Sequence, residues 1–385
     1  MQSDTQLKEE SRRMIPSMKP YFPEEDIDEL LSGFEEIIRS GRLTLGKYTA
    51  KFEESFANFI GVKHAVAANS GTATLEMIYR AIGVQGREVI TPTNTHIATS
   101  NAVLYSGGKP VLADIDPDSL CLSVEDAFAK VTQNTKAMVV VHVAGLIHPR
   151  IDEIRERCSA LGLVLIEDAA HAHGASKGGK RAGSLSEAAS FSFYPAKVIT
   201  SIEGGMVTTN DDRIADISRE LRNHGSDPKS GLQVRLGYNW RMSEIHSLIG
   251  LTQLSRINEI IEHKTEVARV YAESGLSQIG ATPIPVPDDT IHSYYKYPMT
   301  LGHNIDPSSV QNKLKRDHGI ETGSIYYPPC HLQPIYMDLF GYHEGSLSIS
   351  EDVLKRTITL PIFADMKPDD AAYVADCLSR VLRQS

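Results

Sequence analysis

Apolar residues in the middle of the chain alternate between short unbroken runs and longer stripes with helical spacing. Unbroken apolar runs are typical of parallel strands that are covered on both faces, and apolar stripes are typical of the helices that connect them. The predicted strands are residues 64–69, 87–92, 110–116, 137–143, 163–168 and 204–211. The predicted helices among them are residues 70–83, 95–107, 151–162 and 212–225. This alternation predicts a mostly parallel α/β sheet flanked by helices.

The two ends of the chain have other patterns. Apolar stripes predict helices over residues 23–41 and 48–61, and a single helical stretch runs through residues 242–275. The part of the chain after this stretch contains both kinds of element, with a predicted strand at residues 296–301 and predicted helices at residues 307–319 and 369–384. A chain of 385 residues exceeds what one hydrophobic core usually supports. We therefore predict a flexible N-terminal arm, a large domain and a smaller C-terminal α+β domain, with the boundaries 1–13, 14–250 and 251–385.

Composition narrows the class of protein. The chain is 41% hydrophobic and 23% charged, as soluble globular proteins are, and its net charge of −10 argues against a nucleic-acid partner. The four cysteines are scattered without a CxxC pair, which favours free buried thiols in a reducing cytoplasm. Because the chain has neither an apolar signal-peptide segment nor a membrane-spanning one, we expect a cytoplasmic protein with no membrane partner.

Polar residues follow several predicted strands, at the sheet edge where parallel sheets bind ligands. In the stretch NSGTAT, the backbone and the hydroxyls of Ser70 and Thr72 can hold a phosphate, although the same stretch is also an ordinary helix cap. Asp168 ends a buried strand, with His171 close behind. Its carboxylate fits a metal ligand, a base, the partner of a cationic ring nitrogen, or a cap. No zinc-ligand spacing is complete, so no metal is predicted.

The stretch SFSFYPAKVITSIEGG contains Lys197. The aromatic residues before it favour a half-buried amine with a lowered pKa, whereas a lone lysine at a strand end is more often a surface charge. Ser192 lies beside it and can bond an anion. A phosphate cradle, a strand-end aspartate and a lysine in this order fit pyridoxal 5′-phosphate (PLP), which forms a Schiff base with lysine and needs a protonated ring nitrogen. The GxGxxG and GxxxxGK[ST] motifs of other cofactors are absent.

Motifs spread over nearly the whole chain resemble those of the DegT-type sugar aminotransferases, which are PLP-dependent enzymes of fold type I. They are GVKHAVAANSGTATL, GGKPVLADIDPDSL, EDAAHAHGA, FSFYPAK, EGGMVTTND, RNHG, YNWRMSEI and YYPPCHLQP. The resemblance implies a large domain with a mostly parallel seven-stranded sheet, a smaller C-terminal α+β domain, and a homodimer with shared active sites.

The resemblance also implies roles for single residues. Lys197 would bind the cofactor and move a proton between the donor carbon and the cofactor carbon, and Asp168 would pair with the pyridine nitrogen. His171 would lie near the phenolic oxygen of the ring, and His96 would stack on the ring. The phosphate would be held by Ser70, Gly71, Thr72 and Ser192 of the same chain. Asn239 of the partner subunit would also reach it. The candidate substrate-binding residues are Lys229, Arg235, Tyr327 and His331.

Two positions depart from the family pattern. His96 stands where a larger aromatic ring is usual, and a different loop register would leave it an ordinary loop residue. Ile202 stands where the commoner turn TTGEGG has glycine, which predicts a different local backbone.

The implied activity is the transfer of an amino group from an amino acid, by analogy L-glutamate, to a keto group of a nucleotide-linked deoxysugar. Pyridoxamine 5′-phosphate would be the intermediate form of the cofactor, the kinetics would be ping-pong, and the product would serve amino-sugar biosynthesis for glycans or antibiotics. The alternatives are a sugar dehydratase or isomerase with the same cofactor, a cyclitol aminotransferase, and a non-catalytic regulatory protein on the same scaffold. Lys197 argues against the dehydratase, because deoxygenating members typically carry histidine there.

Overall fold

The computed structural model describes residues 13–384, so the predicted arm at 1–13 lies almost wholly outside the described residues. The strands are β1 (His64–Ala68), β2 (Glu88–Pro92), β3 (Lys109–Ala113), β4 (Thr135–Val141), β5 (Val164–Asp168), β6 (Ser176–Lys177), β7 (Lys180–Arg181), β8 (Ala188–Ser192), β9 (Gly205–Thr209), β10 (Ala281–Pro283), β11 (Thr290–Ile291), β12 (Tyr297–Leu301) and β13 (Thr357–Leu360).

The helices surround these strands and account for about half of the remaining described chain. They are α1 (Glu24–Ser40), α2 (Lys47–Ile60), α3 (Gly71–Ile82), α4 (Ala98–Tyr105), α5 (Val124–Ala129), α6 (Ile151–Ala160), α7 (Asp212–Arg222), α8 (Glu244–Ser255), α9 (Ile257–Glu273), α10 (Pro307–His318), α11 (Pro334–Phe340), α12 (Ser348–Lys355) and α13 (Pro368–Arg383), with short 3-10 helices at Val143–Gly145, Leu276–Ile279 and Cys330–Leu332. None of the helices in the described chain is both long and apolar enough to cross a bilayer.

The central sheet has seven strands in the order β1-β9-β8-β5-β4-β2-β3. Strand β9 is antiparallel to both of its neighbours, and all other neighbouring pairs are parallel. The prediction of a mostly parallel seven-stranded sheet is therefore confirmed. The parallel strands end at one edge, which brings the residues after β1, β5 and β8 together.

Alternate residues of the central strands enter two different hydrophobic cores, one on each face of the sheet. In β4, Met138 and Val140 belong to one core, and Ala137 and Val139 to the other. Both faces of the sheet are thus buried, which is why these strands have almost no polar residues.

The predicted helix over residues 242–275 is in fact two helices, α8 and α9, which meet at Arg256. Arg256 extends its guanidinium to the carboxylate of Asp26 on α1, at 2.8 Å from Nη2 to Oδ1. The first half of α9 packs in the core under the sheet, through residues such as Ile260. Its second half enters a separate core, through residues such as Tyr271.

That separate core belongs to the predicted smaller α+β unit. An antiparallel sheet of order β10-β12-β13 is covered by α10 and α13, and the core also receives Ile15. The predicted division between residues 250 and 251 falls within α8 and stays a prediction. All four cysteines are buried and free, as the sequence predicted.

Candidate active site

The loop from β1 into α3 forms a cradle of backbone N–H groups. Ser70 caps the helix, since its Oγ accepts the N–H of Ala73 at 3.2 Å. The N–H groups of the first helical turn have no partners within the helix and attract an anion. A Cβ on Gly71 would lie 2.8 Å from Cβ of Ser192, and a Cβ on Gly205 would overlap the carbonyl of Ser70. Glycine is therefore required where β8 and β9 approach this loop.

Asp168 lies at the end of β5 and is only 5% exposed. Its Oδ2 accepts a hydrogen bond from Oγ1 of Thr99 at 2.6 Å, and its Oδ1 accepts the N–H of Ala170 at 3.2 Å. Oγ1 of Thr99 is also 2.6 Å from Oγ1 of Thr95. These contacts fix the orientation of the carboxylate, as a group that must face a cationic ring nitrogen requires.

Lys197 follows β8 in a short turn, in which its N–H donates to the carbonyl of Tyr194 at 2.9 Å. The side chain is half-buried, and its Nζ lies 4.7 Å from the centroid of the Tyr295 ring. Burial lowers the pKa of Lys197 to about 8; the charge of Asp168 opposes this shift and that of Lys296 adds to it. A substantial fraction of the amine is therefore uncharged near neutral pH.

His171 is buried against two tyrosine rings. Its ring stacks on Tyr295 at 4.2 Å between centroids, and its Nε2 lies 2.7 Å from Oη of Tyr326. Burial holds the pKa of His171 well below its usual range, and the charges of Lys197 and Lys296 lower it further. The imidazole is thus neutral, and its buried Nδ1 has no hydrogen-bond partner within residues 13–384.

His96 projects from the loop after β2. Its ring meets that of Tyr326 edge-on, with 6.1 Å between centroids. Burial and the charge of Lys197 lower the pKa of His96, which favours an uncharged ring. An uncharged imidazole at the cavity wall is compatible with stacking on a cofactor ring, although that role stays a prediction.

Residues from the large domain, together with Tyr295, Lys296 and Tyr326, line a cavity of about 470 Å³. The predicted site residues that line it are Ser70, Gly71, Thr72, His96, Asp168, His171, Ser192 and Lys197. Lining residues that the sequence reasoning missed include Thr99, Glu203, Tyr295, Lys296 and Tyr326. Within the motif YYPPCHLQP, Tyr326 lines the cavity, whereas the predicted residue Tyr327 does not. Nothing in the pattern of HSYYKY marked Tyr295 and Lys296.

The other predicted residues lie outside this cavity in the described chain. They are Asn239, Lys229, Arg235, Tyr327 and His331. Asn239, Lys229 and Arg235 are exposed, and Arg235 pairs with Glu220. His331 is fully buried, with Nδ1 at 2.8 Å from Oγ1 of Thr93 and Nε2 at 2.9 Å from Oε1 of Glu351. These contacts join three segments of the fold, so a substrate role for His331 has no support in this geometry.

Ile202 adopts a left-handed backbone with φ of +69°, and 48% of the residue is exposed. Its N–H donates to Oγ1 of Thr200 at 2.9 Å, which closes the turn before Glu203. Glycine enters this region of φ freely, whereas a β-branched residue is strained there. Ile202 is therefore strained in this turn, and the predicted difference from the family's usual backbone stays a prediction.

The arrangement fits PLP on three observations of this structure. The cradle at the start of α3 has no room for a side chain at Gly71 and suits a phosphate. The carboxylate of Asp168 is fixed at the wall of a cavity that the half-buried amine of Lys197 also lines. The unpartnered Nδ1 of His171 leaves hydrogen-bonding capacity beside them.

Comparison with known proteins agrees with this chemistry. The sequence pattern of the DegT/DnrJ/EryC1/StrS aminotransferase family matches residues 24–379. GDP-perosamine synthase of Caulobacter vibrioides is 37% identical over 346 residues, which cover 88% of this chain and 91% of the relative.

Solved structures agree as well. Helicobacter pylori PseC, an aminotransferase of pseudoaminic acid biosynthesis, superposes with a TM-score of 0.90 and 28% identity over 97% of this chain and 100% of its own. DesI, solved in the presence of its TDP-sugar product, superposes with a TM-score of 0.87 and 31% identity over 97% of this chain and 94% of its own. These neighbours confirm the predicted fold type I architecture.

Proposed function

The chain belongs to the DegT/DnrJ/EryC1/StrS aminotransferase family, and on this premise we propose that it aminates the keto group of a nucleotide-linked deoxysugar with L-glutamate as donor. Membership makes it a PLP-dependent transaminase. The observation that carries the proposal is one cavity that joins Lys197, Asp168 and the glycine cradle at Gly71. GDP-perosamine synthase is named for a nucleotide-linked sugar, and DesI was solved in the presence of its TDP-sugar product, which supports this class of acceptor.

Two side chains of the cavity, those of Asp168 and Lys197, have a direct part in the proposed reaction. When bound, PLP supplies an electron sink for the charge that develops on the donor carbon. Asp168, held by Thr99, would keep a proton on the pyridine nitrogen. Lys197 would bind the cofactor and, once the donor amine has displaced it, its freed amine would take the proton from the donor carbon. The same amine would then deliver that proton to the cofactor carbon, and the reverse sequence would aminate the ketosugar.

We also propose a homodimer whose two active sites are shared. Leu232, Val234 and Leu236 are 66%, 52% and 94% exposed on the loop that leads to Asn239. Ile27 and Leu31 on α1 belong to an apolar stripe that also lies largely open to solvent. Exposed apolar surface of this kind marks an interaction site, and a second copy would bury it. A partner's loop would then bring Asn239 to the phosphate cradle.

A cytoplasmic location is part of the same proposal. The four cysteines are free and buried. Free thiols of this kind suit a reducing compartment, in which disulfides do not persist.

Mass spectrometry tests the reaction. Purified protein with PLP and L-glutamate is offered GDP-, TDP- and UDP-linked 4-keto and 3-keto deoxysugars, and we expect one to gain an amino group as 2-oxoglutarate appears. Initial rates with donor varied at several fixed acceptor concentrations should give parallel lines, as a ping-pong mechanism requires. Intersecting lines would overturn the two-half-reaction mechanism, and loss of water without amine gain would favour a dehydratase.

A further inference from the structure

Lys296 is the second cation of the reaction cavity, and the cofactor roles above leave it without a task. It immediately precedes β12 and is held at both ends. Its N–H donates to the carbonyl of Ala144 at 3.2 Å, and its Nζ donates to the carbonyl of Ser324 at 2.7 Å. The ammonium is thus anchored to the cavity wall by a single carbonyl, which leaves its other two N–H bonds for a ligand.

No carboxylate neutralises this ammonium within residues 13–384. Asp168 also lines the cavity, but its carboxylate is hydrogen-bonded to Thr99 and to the N–H of Ala170. Lys296 is itself half-buried, and burial lowers its pKa. A partly desolvated cation without a counter-charge favours an anionic ligand, because the ligand replaces lost hydration.

Lys296 and the reacting amine of Lys197 both approach the ring of Tyr295. Nζ of Lys296 is 5.8 Å from the centroid of the Tyr295 ring, and Nζ of Lys197 is 4.7 Å from the same centroid. The charge of Lys296 also lowers the pKa of Lys197 and of His171, as expected of a near neighbour. An anion bound by Lys296 would therefore share the cavity with the atoms that Lys197 serves.

The reaction brings four anionic groups to this cavity, and one of them, the γ-carboxylate of L-glutamate, is separated from the donor carbon by two methylene groups. The cofactor phosphate has its own cradle at Gly71. The diphosphate of a nucleotide-linked sugar hangs from the anomeric carbon and is separated from the keto carbon by part of the sugar ring. The α-carboxylate of the amino-acid donor is bonded to the very carbon whose proton Lys197 would take. Only this last anion has to lie beside Lys197.

We propose that Lys296 binds the α-carboxylate of the amino-acid donor and thereby positions the donor carbon for proton transfer to Lys197. This proposal rests on the proposed transaminase function. The proposed subsite binds a carboxylate. Lys296 would therefore recognise the amino-acid donor and not the nucleotide-linked sugar.

Binding of α-methyl-L-glutamate tests the subsite without turnover, since this analogue carries no α-proton to transfer. Calorimetry on the PLP-loaded enzyme should give a dissociation constant about 30-fold higher for Lys296→Met than for the wild type, the size expected for a lost charge-assisted hydrogen bond. Lys296→Arg should keep most of the affinity because it keeps the charge. Lys355→Met, on the exposed surface of α12, controls for the loss of a lysine charge elsewhere.

Two amides of L-glutamate identify the carboxylate. With wild-type enzyme, the α-amide should convert the bound cofactor in single turnover at least about 30-fold less efficiently than L-glutamate, and Lys296→Met should erase most of that difference. The γ-amide, L-glutamine, should lose the same factor as L-glutamate in Lys296→Met.

The outcomes separate the two proposals. If wild-type protein gives no spectral change with L-glutamate, the transaminase function itself fails. If the wild type responds and Lys296→Met binds α-methyl-L-glutamate equally well, the Lys296 assignment alone is overturned. A Lys296→Met enzyme that binds the donor normally and loses affinity for the nucleotide sugar would reassign the cation to the diphosphate.

Discussion

A lysine amine is a nucleophile only when uncharged, and its surroundings decide how often Lys197 is in that form. Water and Asp168 favour the ammonium, whereas burial after β8 and the charge of Lys296 disfavour it. Burial dominates, which places the pKa of Lys197 near 8 rather than near the ordinary value for lysine, about 10.4. The aromatic residues that precede Lys197 suggested this burial in the sequence. They could not reveal Lys296 or Tyr295, since contacts across about a hundred residues depend on the tertiary fold.

The rate at which the apoenzyme captures PLP should follow this ionisation. The uncharged fraction of Lys197 increases about tenfold per pH unit below its pKa and is constant above it. Capture, followed by stopped-flow absorbance, should therefore rise with pH and level off above about pH 8. In Lys296→Met the plateau should move to higher pH, since a charge that lowers the pKa of Lys197 is lost. A rate that is still rising steeply at about pH 10 would contradict the burial of Lys197.

At the scale of elements, local periodicity carried most of the predictable information. Strands such as β4 and β5 were predicted because both of their faces are apolar. Strand β8 was missed because its sequence, AASFS, mixes serines with apolar residues. Those serines face the site: Ser190 contacts Thr74 on α3, and Ser192 meets the cradle. The break at Arg256 was missed for a related reason, since its partner Asp26 is remote in sequence.

The junction of β1, α3 and β8 should not tolerate a side chain at Gly71. In Gly71→Ala the new Cβ would lie 2.8 Å from Cβ of Ser192, so the cradle must widen. We expect PLP affinity, measured by spectral titration, to fall by about 10- to 100-fold, the range of typical overpacking costs. Gly302→Ala is the matched control, because its Cβ would meet Ile305 at an ordinary 3.7 Å. Unchanged PLP affinity in a normally folded Gly71→Ala protein would contradict the proposal that this cradle binds the cofactor phosphate.

For the whole molecule, the described chain leaves apolar surface that its own core does not cover. The sequence predicted the apolar stripe of α1, but that stripe lies largely in solvent, with Leu31 at 64% exposure. Leu236, on the loop before Asn239, is 94% exposed. Periodicity identifies an apolar face without telling whether the same chain or a second copy covers it. Asn239 and Lys229 are exposed in one chain, which leaves them accessible to the active site of a second copy.

A charge on this loop should therefore weaken both assembly and cofactor binding. Light scattering should give a dimer for the wild type and a monomer, or a much weaker dimer, for Leu236→Glu. PLP affinity should fall in the same variant if Asn239 of the partner subunit holds the phosphate. Leu161→Glu, at another exposed leucine, should change neither property. A monomeric wild type with full PLP affinity would refute the shared site.

The covalent position of the cofactor tests the central claim most directly. The PLP-loaded protein is reduced with borohydride, digested and mapped by mass spectrometry, with Lys197→Met treated in parallel. We predict that the reduced cofactor is found on the peptide that contains Lys197, and that Lys197→Met, normally folded, carries none and loses the visible absorbance. Cofactor fixed to another lysine in the wild type, or absorbance that persists unchanged in Lys197→Met, would contradict the account.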